Sequence, residues 1–353
     1  MKILDDIKLD FNDVLIVPKH SDYSSRSQVS LERTIRFKYS PCIWTGVPIM
    51  VSNMDTTGTI EMALEAQKHK IITCLHKYYS AEELLEASGL NINYFAVTTG
   101  INEEDLERFD EIMEKINPIF ICVDVANGYM SKFIKACSKI REKYPEHVII
   151  AGNVCTTEGV LELVNHGKVD IVKVGIGSGS CCTTRKQTGV GMPQFSSVLE
   201  CADTAHGLDA HIISDGGLQV VGDFAKAYGA GADFVMSGSM FAGHSQSSGI
   251  LIHDYNTNGD IVKTYKIFYG MSSSTAMEKY SGGVADYRSS EGKTVKIEYR
   301  GDVKNTILNI QGGLRSTMTY IGAKKIKDIP KCITFARVNR QLNTIYDGKE
   351  ITI

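Results

Sequence analysis

The sequence predicts an α/β chain folded as a (β/α)8 TIM barrel, and three observations predict it. Short apolar runs recur eight times between residues 47 and 236, and an amphipathic stretch follows each of the first seven. The runs are rich in Val and Ile without alternating polar residues, the pattern of parallel strands buried on both faces. Glycine-rich sequences with reactive side chains stand where the runs end, the barrel face that holds active sites. A doubly wound sheet is the other arrangement that β-then-α units permit.

The elements follow in order. The run 47–53 precedes a helix over 59–69, and 71–75 precedes one over 81–90. The run 94–98 leads to 103–115, where Glu103 and Glu104 suit a first turn, and 119–125 leads to 130–143. The run 148–154 leads to 156–166, with Thr156 placed to cap. The sixth run, 171–174, reaches its helix at 193–206 only after a long loop. The runs 211–214 and 234–236 complete the eight, with a helix over 220–228 between them. The eighth helix is delayed. Residues 251–268 read as a hairpin around Asn256–Gly259, since Asn-Gly favours tight turns. Residues 270–301 are Gly/Ser-rich with little periodicity, the character of a lid, so a mobile catalytic flap is expected over 269–301, between strand 8 and helix 8. The last helix is expected over 303–321, interrupted by Gly312-Gly313. Residues 1–40 and 324–353 are extensions without a derivable role, and 1–353 reads as a single domain.

The composition sets limits. Of 353 residues 43% are hydrophobic and 22% charged, as in an ordinary globular protein. The net charge of −3 argues against a nucleic-acid partner but leaves room for a phosphorylated small molecule. No apolar run approaches the roughly 18 residues of a membrane helix, and residues 1–10 alternate charge and apolar groups unlike a signal peptide. Nine cysteines is an odd number, and Cys74, Cys122, Cys137 and Cys201 lie inside strand-like or helix-like runs. A reduced, cytoplasmic protein is therefore expected.

The chemistry gathers at the strand ends. After the sixth run come glycines 175, 177 and 179, then Cys181-Cys182-Thr183-Thr184-Arg185. A thiol on a tight loop, with hydroxyls and a guanidinium beside it, has the surroundings of a nucleophile. Strand 4 ends Asp124-Val-Ala-Asn-Gly128, strand 7 Ser214-Asp215-Gly216-Gly217, and strand 8 Ser237-Gly238-Ser239. Glycine turns after strands 7 and 8 of a barrel can point bare N–H groups at a phosphate; the plainer reading is that they only make tight turns. Gly175-Ile-Gly177-Ser-Gly179 has the wrong spacing for a dinucleotide fingerprint, and no obvious helix starts after it. Adjacent Cys181 and Cys182 lack zinc-ligand spacing, and the nine histidines are scattered.

Five segments, 175–191, 214–217, 268–273, 287–293 and 312–323, resemble GMP reductases, within the wider family that includes IMP dehydrogenase. The resemblance runs in order along nearly the whole chain. It implies that Cys182 is the nucleophile, attacking carbon 2 of the guanine of GMP, so that ammonia leaves, a thioimidate forms, and hydride from NADPH releases IMP. Thr184 and Glu291 match the pair that relays a proton to the departing amine, and desolvation under the lid would favour a neutral Glu291. Asp215, Gly216 and Gly217 match substrate contacts, with Gly238 and Ser239 at the phosphate. Gly270, Met271 and Ser272 match the purine-side turn, and Arg288, Ser289, Ser290 and Gly292 flank Glu291. Cofactor contacts are implied at Ser25, Arg26, Lys77, Asp124, Ala126, Ile176, Gly177, Met271, Tyr287, Arg288 and Ser316, Thr317, Met318 and Thr319. Arg26 and Lys77 are the candidates for the 2′-phosphate. Carbonyls of Gly177, Gly179 and Cys182 correspond to a potassium site. The family implies a homotetramer, which would let some cofactor contacts cross between copies.

Three positions depart from the family pattern. Ser178 stands where proline is common, so a less rigid loop is expected. Cys181 replaces an aliphatic residue, as a bystander or as an oxidation partner of Cys182. Ser239 adds a side chain beside the expected phosphate, to donate a hydrogen bond or to crowd it. The rival within the family is an IMP dehydrogenase without regulatory domains. Against it, only 76–80 separate Leu75 from the next helix, where those enzymes carry an insertion, and Lys279-Tyr280 stands roughly where they carry a water-activating Arg-Tyr pair. A non-catalytic purine-nucleotide sensor would not need Cys182, Thr184 and Glu291 together.

Overall fold

A computed structural model describes residues 3–287 and 289–339. Eight parallel strands close into one barrel: β1 Ile49–Val51, β2 Ile72–Cys74, β3 Phe95–Thr99, β4 Phe120–Asp124, β5 Val148–Val154, β6 Ile171–Val174, β7 His211–Asp215 and β8 Phe234–Ser237. The barrel closes where Met236 of β8 pairs with Met50 of β1. Each strand lies in one of the runs read from the sequence, or within a residue of it. β1, β2, β3, β6 and β8 are buried at every position, so their runs show no alternation.

Side chains pointing inward, among them Met50, Ile72, Phe120, Ile150, Ile213 and Phe234, form one core. Those pointing outward pack under the helices in a second, larger one. The helices begin at side-chain caps. Thr59 Oγ1 accepts the Met62 N–H at 3.2 Å, Ser80 and Glu83 form a reciprocal box, and Asn102 Oδ1 accepts the Asp105 N–H at 2.7 Å. β2 reaches the helix Ala81–Glu86 across residues 75–80 alone. All nine cysteines are unpaired. Among the described residues no helix is long and apolar enough to cross a membrane.

The N-terminal extension closes the end of the barrel opposite the strand C-termini. Strands Arg33–Arg36 and Ile43–Gly46 form a hairpin whose Ile35 and Trp44, with Phe37, pack into the inner core. Buried Asp233 holds this plug through Arg33 at 2.7 Å, and buried Asp170 accepts the N–H groups of Tyr39 at 2.8 Å and Ser40 at 3.1 Å. Strand Val14–Ile16 pairs antiparallel with Phe335–Arg337, so the two extensions clasp each other.

Three expectations need correction. The helix Val303–Ile321 is continuous through Gly312-Gly313. Gly313 lies where a Cβ would stand 2.3 Å from Val221 Cγ1, so this glycine serves helix packing rather than a break. The stretch 270–301, read above as a lid with little periodicity, holds a helix, Ser274–Ser281, and a strand, Thr294–Glu298. That strand is the third of a sheet with the hairpin strands Leu251–Tyr255 and Ile261–Tyr269. The cysteine loop does start a helix, Thr184–Thr188, too short to have a period and ended by Gly189 at φ +71°.

Candidate active site

A cavity of about 540 Å³ opens at the C-terminal ends of the strands and is lined from all eight of them or the loops that follow. Cys182, Thr184 and Glu291 meet in its wall. The Cys182 thiol donates to Thr184 Oγ1 at 3.2 Å, and the Thr184 hydroxyl donates to Glu291 Oε2 at 2.7 Å. The Thr184 hydroxyl thus accepts from the thiol with its oxygen and spends its own proton on Glu291.

Backbone pairing holds this trio together. The Thr183 N–H donates to the Glu291 carbonyl at 2.7 Å, the Lys293 N–H to the Cys181 carbonyl at 2.9 Å, and the Glu291 N–H to the Ser272 carbonyl at 3.0 Å. Residues 291–293 thus run between the cysteine loop and the turn at 270–273, bridging both through Gly292. A Cβ at Gly292 would stand 2.8 Å from the Ser273 nitrogen, so only glycine lets the three segments meet.

Asp215, Gly216, Gly217, Gly238 and Ser239 line one end of the cavity. Gly216 and Gly217 take φ of +82° and +79°, turning the chain sharply after β7. Arg300 braces the second turn, donating to the Ser239 carbonyl at 3.0 Å. Gly270, Met271 and Ser272 line the cavity beside the thiol. Ser289, Ser290 and Gly292 do not line it; the Ser290 hydroxyl donates to the Gly292 carbonyl at 3.0 Å. Arg288 lies outside the described residues.

The residues expected at the cofactor divide into two groups. Lys77, Asp124, Ala126, Ile176, Gly177 and Met271 line the cavity. Ser25, Arg26, Tyr287 and 316–319 do not. Ser25 and Arg26 sit in and before the short turn Arg26–Gln28, which packs on the helix Val303–Ile321 that carries 316–319. Tyr287 is exposed, and the Met318 side chain is buried in the outer core. Lys77 is paired with Asp105 at 2.7 Å, while among the described residues no carboxylate pairs with Arg26. The Gly179 carbonyl accepts the Cys182 N–H at 3.0 Å and keeps a second lone pair. Among the described residues no three His, Cys, Asp or Glu side chains converge as a metal site.

The guanidinium of Arg185 does not support the thiol. It donates to Asp10 Oδ2 at 3.1 Å and to the Met192 carbonyl at 2.5 Å, tying the loop to the N-terminal extension. Ser178 does what a proline would do by other means, since its hydroxyl donates to the Asp215 carbonyl at 3.0 Å and pins the loop to β7. Cys181 is buried with Ala242 and Phe268, and burial pushes its thiol pKa up. It is a small packing residue.

Sequence reasoning missed the floor of the cavity. Lys173, buried in β6, donates to Asp124 at 2.7 Å and to Asn53 at 3.2 Å and lies 3.4 Å from Asp215. Asn153 donates to Asp215 at 2.8 Å. Burial alone would push the Lys173 ammonium down; Asp124 and Asp215 outweigh it and hold it well above the usual lysine range. The available signal was a lysine inside a wholly apolar strand.

A thiol, a hydroxyl and a carboxylate in series beside glycine turns, at the strand C-termini of a parallel barrel, define a barrel enzyme built for nucleophilic attack with proton transfer. Comparison with known proteins narrows the class. Residues 8–343 match the IMP dehydrogenase / GMP reductase domain, and the chain belongs to that family. It is similar to GMP reductase 1 of Mus musculus, 53% identical over 97% of this chain and 98% of the relative. It is also similar to GMP reductase 2 of Homo sapiens, at 52% over 97% of each. GMP reductase of Phytophthora infestans is 53% identical over 98% of this chain and 94% of its own.

Proposed function

We propose that this chain is a GMP reductase, an oxidoreductase that converts GMP to IMP and ammonia in purine-nucleotide interconversion. The series Cys182–Thr184–Glu291 carries the reading. As the Cys182 sulfur bonds to carbon 2 of the guanine, its proton passes to Thr184, whose own moves to Glu291. The flow then reverses: Glu291 returns a proton through Thr184 to the amino group of the tetrahedral adduct, a poor leaving group until protonated, and the carbon–nitrogen bond breaks so that ammonia departs and a thioimidate is left. Bound NADPH supplies the hydride that takes the place of sulfur at carbon 2. Asp215 orients the purine nucleotide, with the turns at Gly216, Gly217, Gly238 and Ser239 at its phosphate.

The residues present fit a dinucleotide. The lobe from Lys77 to Asp124 and Ala126 suits its reactive end, and exposed Arg26 is a better partner for a 2′-phosphate than Lys77, which Asp105 already neutralises. Carbonyls of Gly177, Gly179 and Cys182 would hold potassium, a hard cation that prefers oxygen. Ser25, Arg26 and 316–319 lie outside the cavity, which favours a homotetramer in which one copy completes the cofactor site of another. Residues 269–301 act as a flap on a single-domain barrel, and the enzyme works in the cytoplasm. Its ligands are nucleotides, not nucleic acid or membrane.

The test is to mix the protein with GMP and NADPH and follow the reduced-nicotinamide absorbance and ammonia. Loss of absorbance with equimolar ammonia is expected, and Cys182→Ala should abolish it while still binding GMP. Nicotinamide reduction from IMP, without activity on GMP, would favour the dehydrogenase, and silence in both directions a sensor.

A further inference from the structure

Asp55 follows β1 and is 2% exposed, yet it is not part of the cavity wall. Its Oδ2 accepts the hydroxyl of Tyr269 at 2.5 Å, the hydroxyl of Tyr280 at 2.8 Å and the ammonium of Lys279 at 3.0 Å. Its Oδ1 is buried without a partner. Taking a carboxylate out of water is costly unless charges or donors compensate, so these three contacts are what make Asp55 tolerable where it is. All three come from one continuous stretch, 269–280, at the root and in the helix of the flap. Lifting that stretch would remove them together.

The same helix, Ser274–Ser281, reaches the reacting groups from its other end. The Ser274 N–H donates to the Ser290 hydroxyl at 3.1 Å, and the Ser272 carbonyl accepts the Glu291 N–H at 3.0 Å. At the Asp55 end, Tyr280 stacks on Tyr78 with centroids 3.5 Å apart and planes 2° from parallel, and Tyr78 is part of the cavity wall. The carboxylate therefore holds the C-terminal end of this helix through Lys279 and Tyr280 and the strand before it through Tyr269, while the turn entering the helix holds Glu291. Lys279 and Tyr280 are both directed at Asp55, and neither lines the cavity.

We propose that Asp55 is a positioning residue, an anionic clasp that holds the flap helix against the barrel and so sets where Glu291 stands relative to Thr184. The catalytic half of this rests on the proposed role of Glu291; the clasp itself does not. Asp55→Asn keeps the shape and removes the charge. Hydrogen exchange of the full chain without ligand is expected to quicken about tenfold or more in peptides spanning 269–298, with those covering β5 unchanged. Turnover of GMP is expected to fall about tenfold or more in kcat, with KM rising by a smaller factor, because the turn at 270–272 loosens with the flap while the barrel-borne contacts at Asp215, Gly216, Gly217, Gly238 and Ser239 are untouched. Lys279→Met combined with Tyr280→Phe, which alters only the flap side, should reproduce both effects, and adding Asp55→Asn to that pair should add little. Unchanged flap exchange in Asp55→Asn, or fully additive losses, would overturn the clasp. If Asp55→Asn also loses protection in β5, the Lys279→Met/Tyr280→Phe protein decides by the same exchange readout. If the unaltered protein does not turn over GMP, the proposed function fails while the exchange result still decides the clasp.

Discussion

At Cys182 the thiol has a hydroxyl neighbour in Thr184, and the carboxyl group stands one group further away, on Glu291. This separates two jobs that a single base would combine. Thr184 can accept and donate at once, so in the proposed mechanism it would pass protons in either direction, while Glu291 would store the proton between attack and departure. Glu291→Gln keeps the shape and removes the store. In single-turnover experiments it should slow ammonia release at least about a hundredfold, within the range ascribed to general acid–base catalysis. The hydride step, measured from IMP and the oxidised cofactor, should slow far less. Equal slowing of both would mean that Glu291 only shapes the site. The cysteine and both partners were visible in the sequence because each lies in a distinctive segment. Asp55 was not, since nothing local in Ser52-Asn53-Met54-Asp55-Thr56 separates a buried clasp from a solvated loop carboxylate.

At the scale of elements, adjacent glycines in one helix do opposite things. In Val303–Ile321 a Cβ at Gly312 would have no neighbour within 4 Å, whereas one at Gly313 would strike Val221 Cγ1. Val221 is β-branched and stiff, and it starts its own helix, so it cannot swing aside. Gly312→Ala should stabilise the protein by about 0.5–1 kcal/mol through helix propensity alone. Gly313→Ala gains the same term but forces overpacking that costs about 1–3 kcal/mol, for a net loss near 1 kcal/mol. Urea denaturation should move the two midpoints in opposite directions, and a shared direction would remove the packing explanation. The pair also shows why reading a break from two glycines failed, since propensity is a weak prior that tertiary contact overrides. The helices Thr184–Thr188 and Ser274–Ser281 escaped notice for a related reason. Neither is long enough to show a period, and caps and neighbours hold them in place.

At the scale of the whole molecule, the barrel was legible because strands buried on both faces leave uninterrupted apolar runs. The plug was not, because Arg33–Arg36 and Ile43–Gly46 are half exposed and their meaning lies in what they cover. Lys173 belongs to the same scale, since it joins parts of the chain that only barrel closure brings together: Asn53 after β1, Asp124 on β4 and Asp215 on β7. The cation sits where the inner core gives way to the cavity, so it both ends the apolar filling and fixes the two carboxylates above it. Replacing it with a methionine of similar length would leave Asp124 and Asp215 without their counter-charge at the floor of the site. Lys173→Met should therefore lose about 1–3 kcal/mol of stability, less than a fully buried pair would cost, because both carboxylates reach the cavity. Removing the stranded charges as well, with Asp124→Asn and Asp215→Asn, should recover most of that stability while leaving GMP turnover abolished, because the cavity would keep its shape and lose its charges. If the single variant lost less than about 1 kcal/mol, as exposed pairs do, water would have to reach Lys173, and the floor of the cavity would be open rather than sealed.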